Sequence, residues 1–203
     1  MKPIKNEFAL AGLAAVLCVV AACSNGPDSV TQSGQGRVQF VMSASAAAPV
    51  APAIMDGGPP AGYDLNAANV TFASILARNL DGELIGVTVD LPITVDLLGL
   101  VSGGSFTLPA GFLAPGTYDQ LVIVMTKVEL TLADATVVTI EPPGGGWTAV
   151  IPVTEPFTVV EGQTTSVNIG FHPGRLLHWL DGRWEFHPEF ECDGGNHEDG
   201  SHN

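Results

Sequence analysis

Metal-ligand chemistry gathers at one end of the chain. Glu185, His187, Glu189 and Glu191 stand two residues apart, and His197, Glu198, Asp199 and His202 follow in a glycine-containing tail. On an extended strand, residues two apart share a face. The four would then present imidazole and carboxylate together, the mixture that suits zinc, copper or nickel; carboxylates alone would suit calcium. His187, Glu189, Glu191, His197 and His202 are therefore the candidate ligands for a divalent-metal-binding role. The plainer expectation is a solvated acidic face on an edge strand, where charge discourages pairing with other molecules. His197-Glu198 with His202 misses the H-E-x-x-H spacing by one residue, and Gly200 opposes the helix that motif needs. His172 and His178 flank Pro173-Gly174-Arg175 and would join His187 only if their loops converge. The chain has no G-x-S-x-G, no phosphate-binding glycine loop and no Ser/His/Asp set in recognisable context. The sequence thus points to no catalytic residue, no enzyme activity and no cofactor.

The other reactive position is Cys23. Lys2 and Lys5 precede an uncharged, mostly apolar run from Phe8 to Ala22, and Val20-Ala21-Ala22 lead directly into the cysteine. A basic start, an apolar run and small residues describe a secretory signal over residues 1–22. The run falls short of the ~20 residues a spanning helix needs. Small residues set immediately before a cysteine resemble the lipobox of bacterial lipoproteins. That resemblance implies cleavage after Ala22, acylation of Cys23 and a location in the bacterial cell envelope, with the membrane as a partner through the lipid. Ser24, rather than Asp, follows the cysteine, which would favour the outer membrane if the source is diderm. One acyl chain binds marginally, at ~0.8 kcal/mol per buried CH₂, whereas the several chains of a lipoprotein hold permanently.

Composition narrows the partners. Seven Lys and Arg stand against 21 Asp and Glu, for a net charge of -14. Such a surface repels nucleic acid and anionic membrane surfaces. It is compatible with divalent cations, basic partners or simple solubility, and leaves a protein or glycan ligand open. Cys18 leaves with the signal and Cys23 would carry lipid, so Cys192 is left without a partner for an intramolecular disulfide.

The elements that must position these residues read as strands. Residues 23–36 form a polar tether, and residues 37–192 a single β domain. Arg37 to Ser43 alternates, with Val38, Phe40 and Met42 on one face. Residues 44–68 are rich in Ala, Pro and Gly and read as a surface insertion. Asp81-Gly82 between apolar runs marks a tight hairpin. Along Tyr118 to Leu132 the apolar parity changes, from Leu121, Ile123 and Met125 to Val128, Leu130 and Leu132. A switch of parity requires a bulge or a crossing between sheets near Thr126-Lys127. Trp147, Ala149, Ile151 and Val153 form one inward row, and Val167, Ile169 and Phe171 another. Trp184 to Phe190 reads as a further strand, with Glu185, His187 and Glu189 outward. Single helical turns are expected near Leu97 to Val101 and Arg175 to Leu180. Residues 193–203 read as an acidic, His-containing disordered tail. At least eight short strands without a sustained helical period predict an all-β fold, a sandwich or barrel.

Within this pattern, Leu97-Leu98-Gly99-Leu100, Leu108 to Gly111 with Gly116-Thr117-Tyr118, Phe157 to Thr164, and Asp181 to Pro188 stand in order. The stretch from Ile93 to Phe190 thereby resembles a family of bacterial envelope lipoproteins catalogued as a domain of unknown function. The resemblance implies a single antiparallel β-sandwich of immunoglobulin-like or transthyretin-like kind. It brings no catalytic residues with it, and it departs at the 44–68 insertion and at His172-Pro173. The expectation is a lipid-anchored envelope module for binding, adhesion or scaffolding.

Overall fold

The computed structural model describes residues 34–45 and 64–197, with backbone alone for 195–197. The signal, Cys23 with its lipobox Val20, Ala21 and Ala22, most of the tether, residues 46–63 of the insertion and His202 lie outside the described residues.

In chain order the strands begin with β1 (Gly36–Ala44), β2 (Leu65–Asn79), β3 (Leu84–Gly86) and β4 (Ile93–Asp96). Next come β5 (Ser105–Thr107), β6 (Gly111–Leu113), β7 (Gly116–Leu132), β8 (Val137–Ile140) and β9 (Trp147–Val159). The last are β10 (Thr164–Phe171), β11 (Leu177–Leu180), β12 (Arg183–Phe186) and β13 (Phe190–His197). A 3-10 turn at Leu98–Leu100 and a helical turn, α1 (Pro173–Leu176), stand near the two expected places.

Eleven strands form one sheet with the path β3-β2-β7-β9-β13-β10-β1-β5; β4 pairs with β2, β6 with β1 and β8 with β7. The sheet is mixed. β1 runs parallel to β10 from Arg37 beside Thr164 to Ala44 beside Phe171, and β13 meets β9 in parallel at Cys192 beside Val153. The expectation of a single antiparallel sandwich is corrected here to one mixed, curled sheet. Alternation reports which face of a strand is buried; it does not encode the direction of the neighbour, so a parallel pair reads like an antiparallel one.

The curl follows from ring contacts. Phe72 on β2 and Phe190 on β13 lie three ladder steps apart, roughly 14 Å along a flat sheet, yet their ring centroids are 6.3 Å apart, edge to face. Phe171 on β10 meets Phe190 from the other side at 6.4 Å. Hydrogen bonds also continue round the back: Thr88, two residues past β3, exchanges two backbone bonds with Phe112 of β6 (3.1 and 2.9 Å). Inside the curl lie Val38, Phe40 and Met42, the Val167-Ile169-Phe171 row and the Trp147-to-Val153 row, all buried.

Local chemistry explains the turns. Asn79 and Glu83 close the β2–β3 hairpin, with Gly82 at φ +86°, a conformation open to glycine at no steric cost. The parity switch on β7 is a bulge: Thr71 faces Lys127 while Phe72 faces Met125, leaving Thr126 unpaired and exposed. Asp96 accepts the amides of Ala68 (2.9 Å) and Leu98 (3.1 Å), tying β2 to the start of the 3-10 turn.

Two further expectations are corrected. β13 continues through 193–197, paired with β10 from Phe190 beside Phe171 to His197 beside Thr165, so these residues are sheet rather than tail. Glycine-rich composition argued for looseness, but Gly194 sits where β13 passes the Glu155 carbonyl so closely that any Cβ would strike it. Glycine here permits close approach. Trp184 to Phe190 is not one strand either: β12 ends at Phe186, and a new strand starts at Phe190 beyond Pro188, which lacks the amide that a ladder requires.

Candidate functional site

That break disperses the predicted metal set. Glu185 lies on β12, where its Oε1 accepts both Nε (3.0 Å) and an Nη (2.8 Å) of Arg183, and His187 Nε2 stands 3.4 Å from its Oε2. The hydrogen bonds from Arg183 first, and from His187 second, hold the Glu185 carboxyl below the usual carboxylate range. Glu189 faces Arg175 at 3.8 Å, and Glu191, in β13, faces His172 at 3.4 Å. His197 closes β13 and has no described side chain. Among the described residues, no three His, Cys, Asp or Glu side chains come within reach of one ion. His178 and His187 do converge, rings 4.8 Å apart and near perpendicular. The His178 Nε2 is 2.9 Å from the Arg175 carbonyl; a carbonyl only accepts, so that nitrogen carries the proton.

Cys192 is buried beside β9, and its thiol is pushed up to about 12, chiefly by burial and then by Asp193. A reactive cysteine needs exposure and a lowered value. Native Cys192 is therefore expected to resist iodoacetamide at pH 8.5 and to alkylate fully after denaturation, as read by peptide mapping. Rapid native labelling would contradict this burial.

What the fold does build is a groove of about 990 Å³, at the upper end of the ~300–1,000 Å³ typical of ligand sites. One wall is β8 with Glu141 to Pro143; the other is the β11–β12 hairpin with His187 to Glu189. The hairpin turns on Asp181-Gly182, both at positive φ (50° and 78°), the Asp-Gly pair that a two-residue turn prefers. It carries Trp179 against Trp184 (5.4 Å, 73°), and Phe186 anchors it edge-on to Trp147 of β9 (5.2 Å). Trp184 is 6% exposed, and its indole N–H is buried without a hydrogen-bond partner. Buried donors are normally satisfied, and an orphan calls for an explanation. A second, narrower cleft of about 20 Å³, lined by apolar side chains such as Val70, Leu97 and Phe171, has room for little more than one water.

Sequence reasoning missed this groove, because it read Trp184 only as part of a strand whose outward residues were Glu185, His187 and Glu189. A signal was present: Val137-Val138-Thr139-Ile140 is wholly β-branched, uncharged and followed by Glu141-Pro142-Pro143, the makings of a strand whose neighbour stops short.

Among the described residues, no helix is long and apolar enough to cross a membrane. Neither a curated protein nor a solved structure matches the chain. A domain of unknown function, DUF4382, matches residues 47–188, a span that takes in β2 to β12 and leaves β1 and β13 outside. With more than half of its length so matched, the chain belongs to the DUF4382 family.

Proposed function

We propose that this protein is a lipid-anchored component of a bacterial cell envelope that binds a ligand, without catalysis, in the groove between β8 and the β11–β12 hairpin. The anchor rests on Lys2, Lys5, the Phe8–Ala22 run and Val20-Ala21-Ala22-Cys23. The outer membrane is its place if the cell is diderm. The binding role is carried by one observation: an open groove of ligand size, walled by the Trp179–Trp184 pair. A net charge of -14 directs the choice of ligand away from polyanions, nucleic acid included.

Radiolabelled palmitate is expected to enter the full-length protein expressed in a bacterium that processes lipoproteins. Cys23→Ala should lose that label and leave the membrane fraction. Equal labelling of the variant would contradict the anchor.

A further inference from the structure

Resting on that groove as the binding site, we infer that its ligand is an extended, basic polypeptide segment that adds as a strand to the open edge of β8. The backbone supplies the reason. In an antiparallel pair, hydrogen-bonded and non-bonded positions alternate. Leu132 donates to the Thr136 carbonyl at 2.8 Å, and the register continues with Val137 beside Thr131, Val138 beside Leu130 and Ile140 beside Val128. Val138 and Ile140 therefore bond to β7, while Val137 and Thr139 turn their N–H and C=O groups outward.

The same count applies across the groove. Leu180 and Arg183 flank a two-residue turn, Trp179 pairs with Trp184, and His187 donates to Leu176 at 2.8 Å. Trp184 and Phe186 thus point their backbone groups away from β11. Among the described residues, strand pairing joins β8 only to β7 and β12 only to β11. Each wall of the groove therefore ends in a strand edge with unpaired donors and acceptors, the feature that strand addition exploits. Side chains from both faces of β8, Val138 and Ile140 with Thr139, line the groove, as an edge-on approach requires. β8 also carries none of the charges or prolines that normally protect an edge.

Charge decides the chemistry of the segment. Within the groove, Arg183 is occupied by Glu185. Glu141 is in no ion pair among the described residues, and Glu189 is held only loosely by Arg175, at 3.8 Å. The rim is therefore acidic and favours Lys or Arg on the ligand, while Trp179 and the prolines Pro142 and Pro188 supply apolar contact.

The test is selection of a displayed random-decapeptide library on full-length Cys23→Ala protein. Selected peptides should be rich in Lys and Arg and poor in Asp and Glu. Synthetic copies N-methylated at alternate residues, which cannot donate along one edge, should lose binding at least about tenfold. Thr139→Pro removes the outward amide and leaves the β7 ladder untouched; it should weaken binding to a similar degree, whereas Thr139→Val should bind like the parent. If Thr139→Pro fails to fold, the N-methylated peptides decide alone. Selected peptides indifferent to N-methylation, or no selected peptides at all, would overturn the inference. So would a concentration-dependent dimer abolished by Thr139→Pro, which would assign the edge to a second copy. Quenching of tryptophan emission by chitohexaose or cellohexaose, with no peptide response, would overturn the peptide inference and leave the groove as a binding site. Silence toward both peptides and oligosaccharides would remove both readings.

Discussion

Phe72→Ala is expected to cost about 3–5 kcal/mol, the range for emptying a buried phenylalanine site. Phe72 is fully buried on β2, in phase with Ala68 and Val70, and its ring meets Phe190 at the start of β13. Phe190 in turn meets Phe171 on β10, so one side chain joins the two arms of the curled sheet. Against a typical total of about 5–15 kcal/mol, the loss should lower the urea midpoint of the full-length protein markedly. Phe72→Leu, which keeps most of the volume, should lose much less. A midpoint unchanged in Phe72→Ala would mean that the arms do not pack on one another.

Gly194→Ala is the second large effect, expected at about 1–3 kcal/mol as an overpacking cost. A Cβ at this position strikes the Glu155 carbonyl and comes within 2.8 Å of the Glu155 Cβ. Both are parts of β9 and cannot swing aside like the end of a flexible side chain. The collision falls where β13 and β9 run side by side, next to the Cys192–Val153 pairing, so relief requires the two strands to part. Removing residues 193–203 should destabilise the protein as well, because the strand supplies hydrogen bonds to β10 as far as Thr165. Full stability after either change would return residues 193–197 to the status of a tail.

Side-chain period carried most of what the sequence revealed. The rows at Val38, Trp147 and Val167, the Asp81-Gly82 turn and the bulge at Thr126 are each dictated within a few residues, and each is where the pattern placed it. What the pattern could not carry is partnership over distance. β1 and β10 are parallel although they lie more than a hundred residues apart, and nothing in RVQFVMS distinguishes a parallel neighbour from an antiparallel one. Composition misled at 193–197, because glycine read as slack where it answers a tight crossing. Among the described residues the metal set is divided for a local reason: Pro188 interrupts the run that alternation had joined, leaving Glu185 to Arg183 and Glu191 to His172. The groove was the least legible feature, since it consists of hydrogen bonds that two strands do not make.

Those unmade bonds allow the most direct test. Amide hydrogen exchange in the unliganded protein, followed residue by residue by NMR, should find Val138 and Ile140 protected by β7, and Val137 and Thr139 exchanging freely beside them. Equal protection of Thr139 and Val138 would mean that the edge of β8 is already covered and that the groove is closed to an added strand.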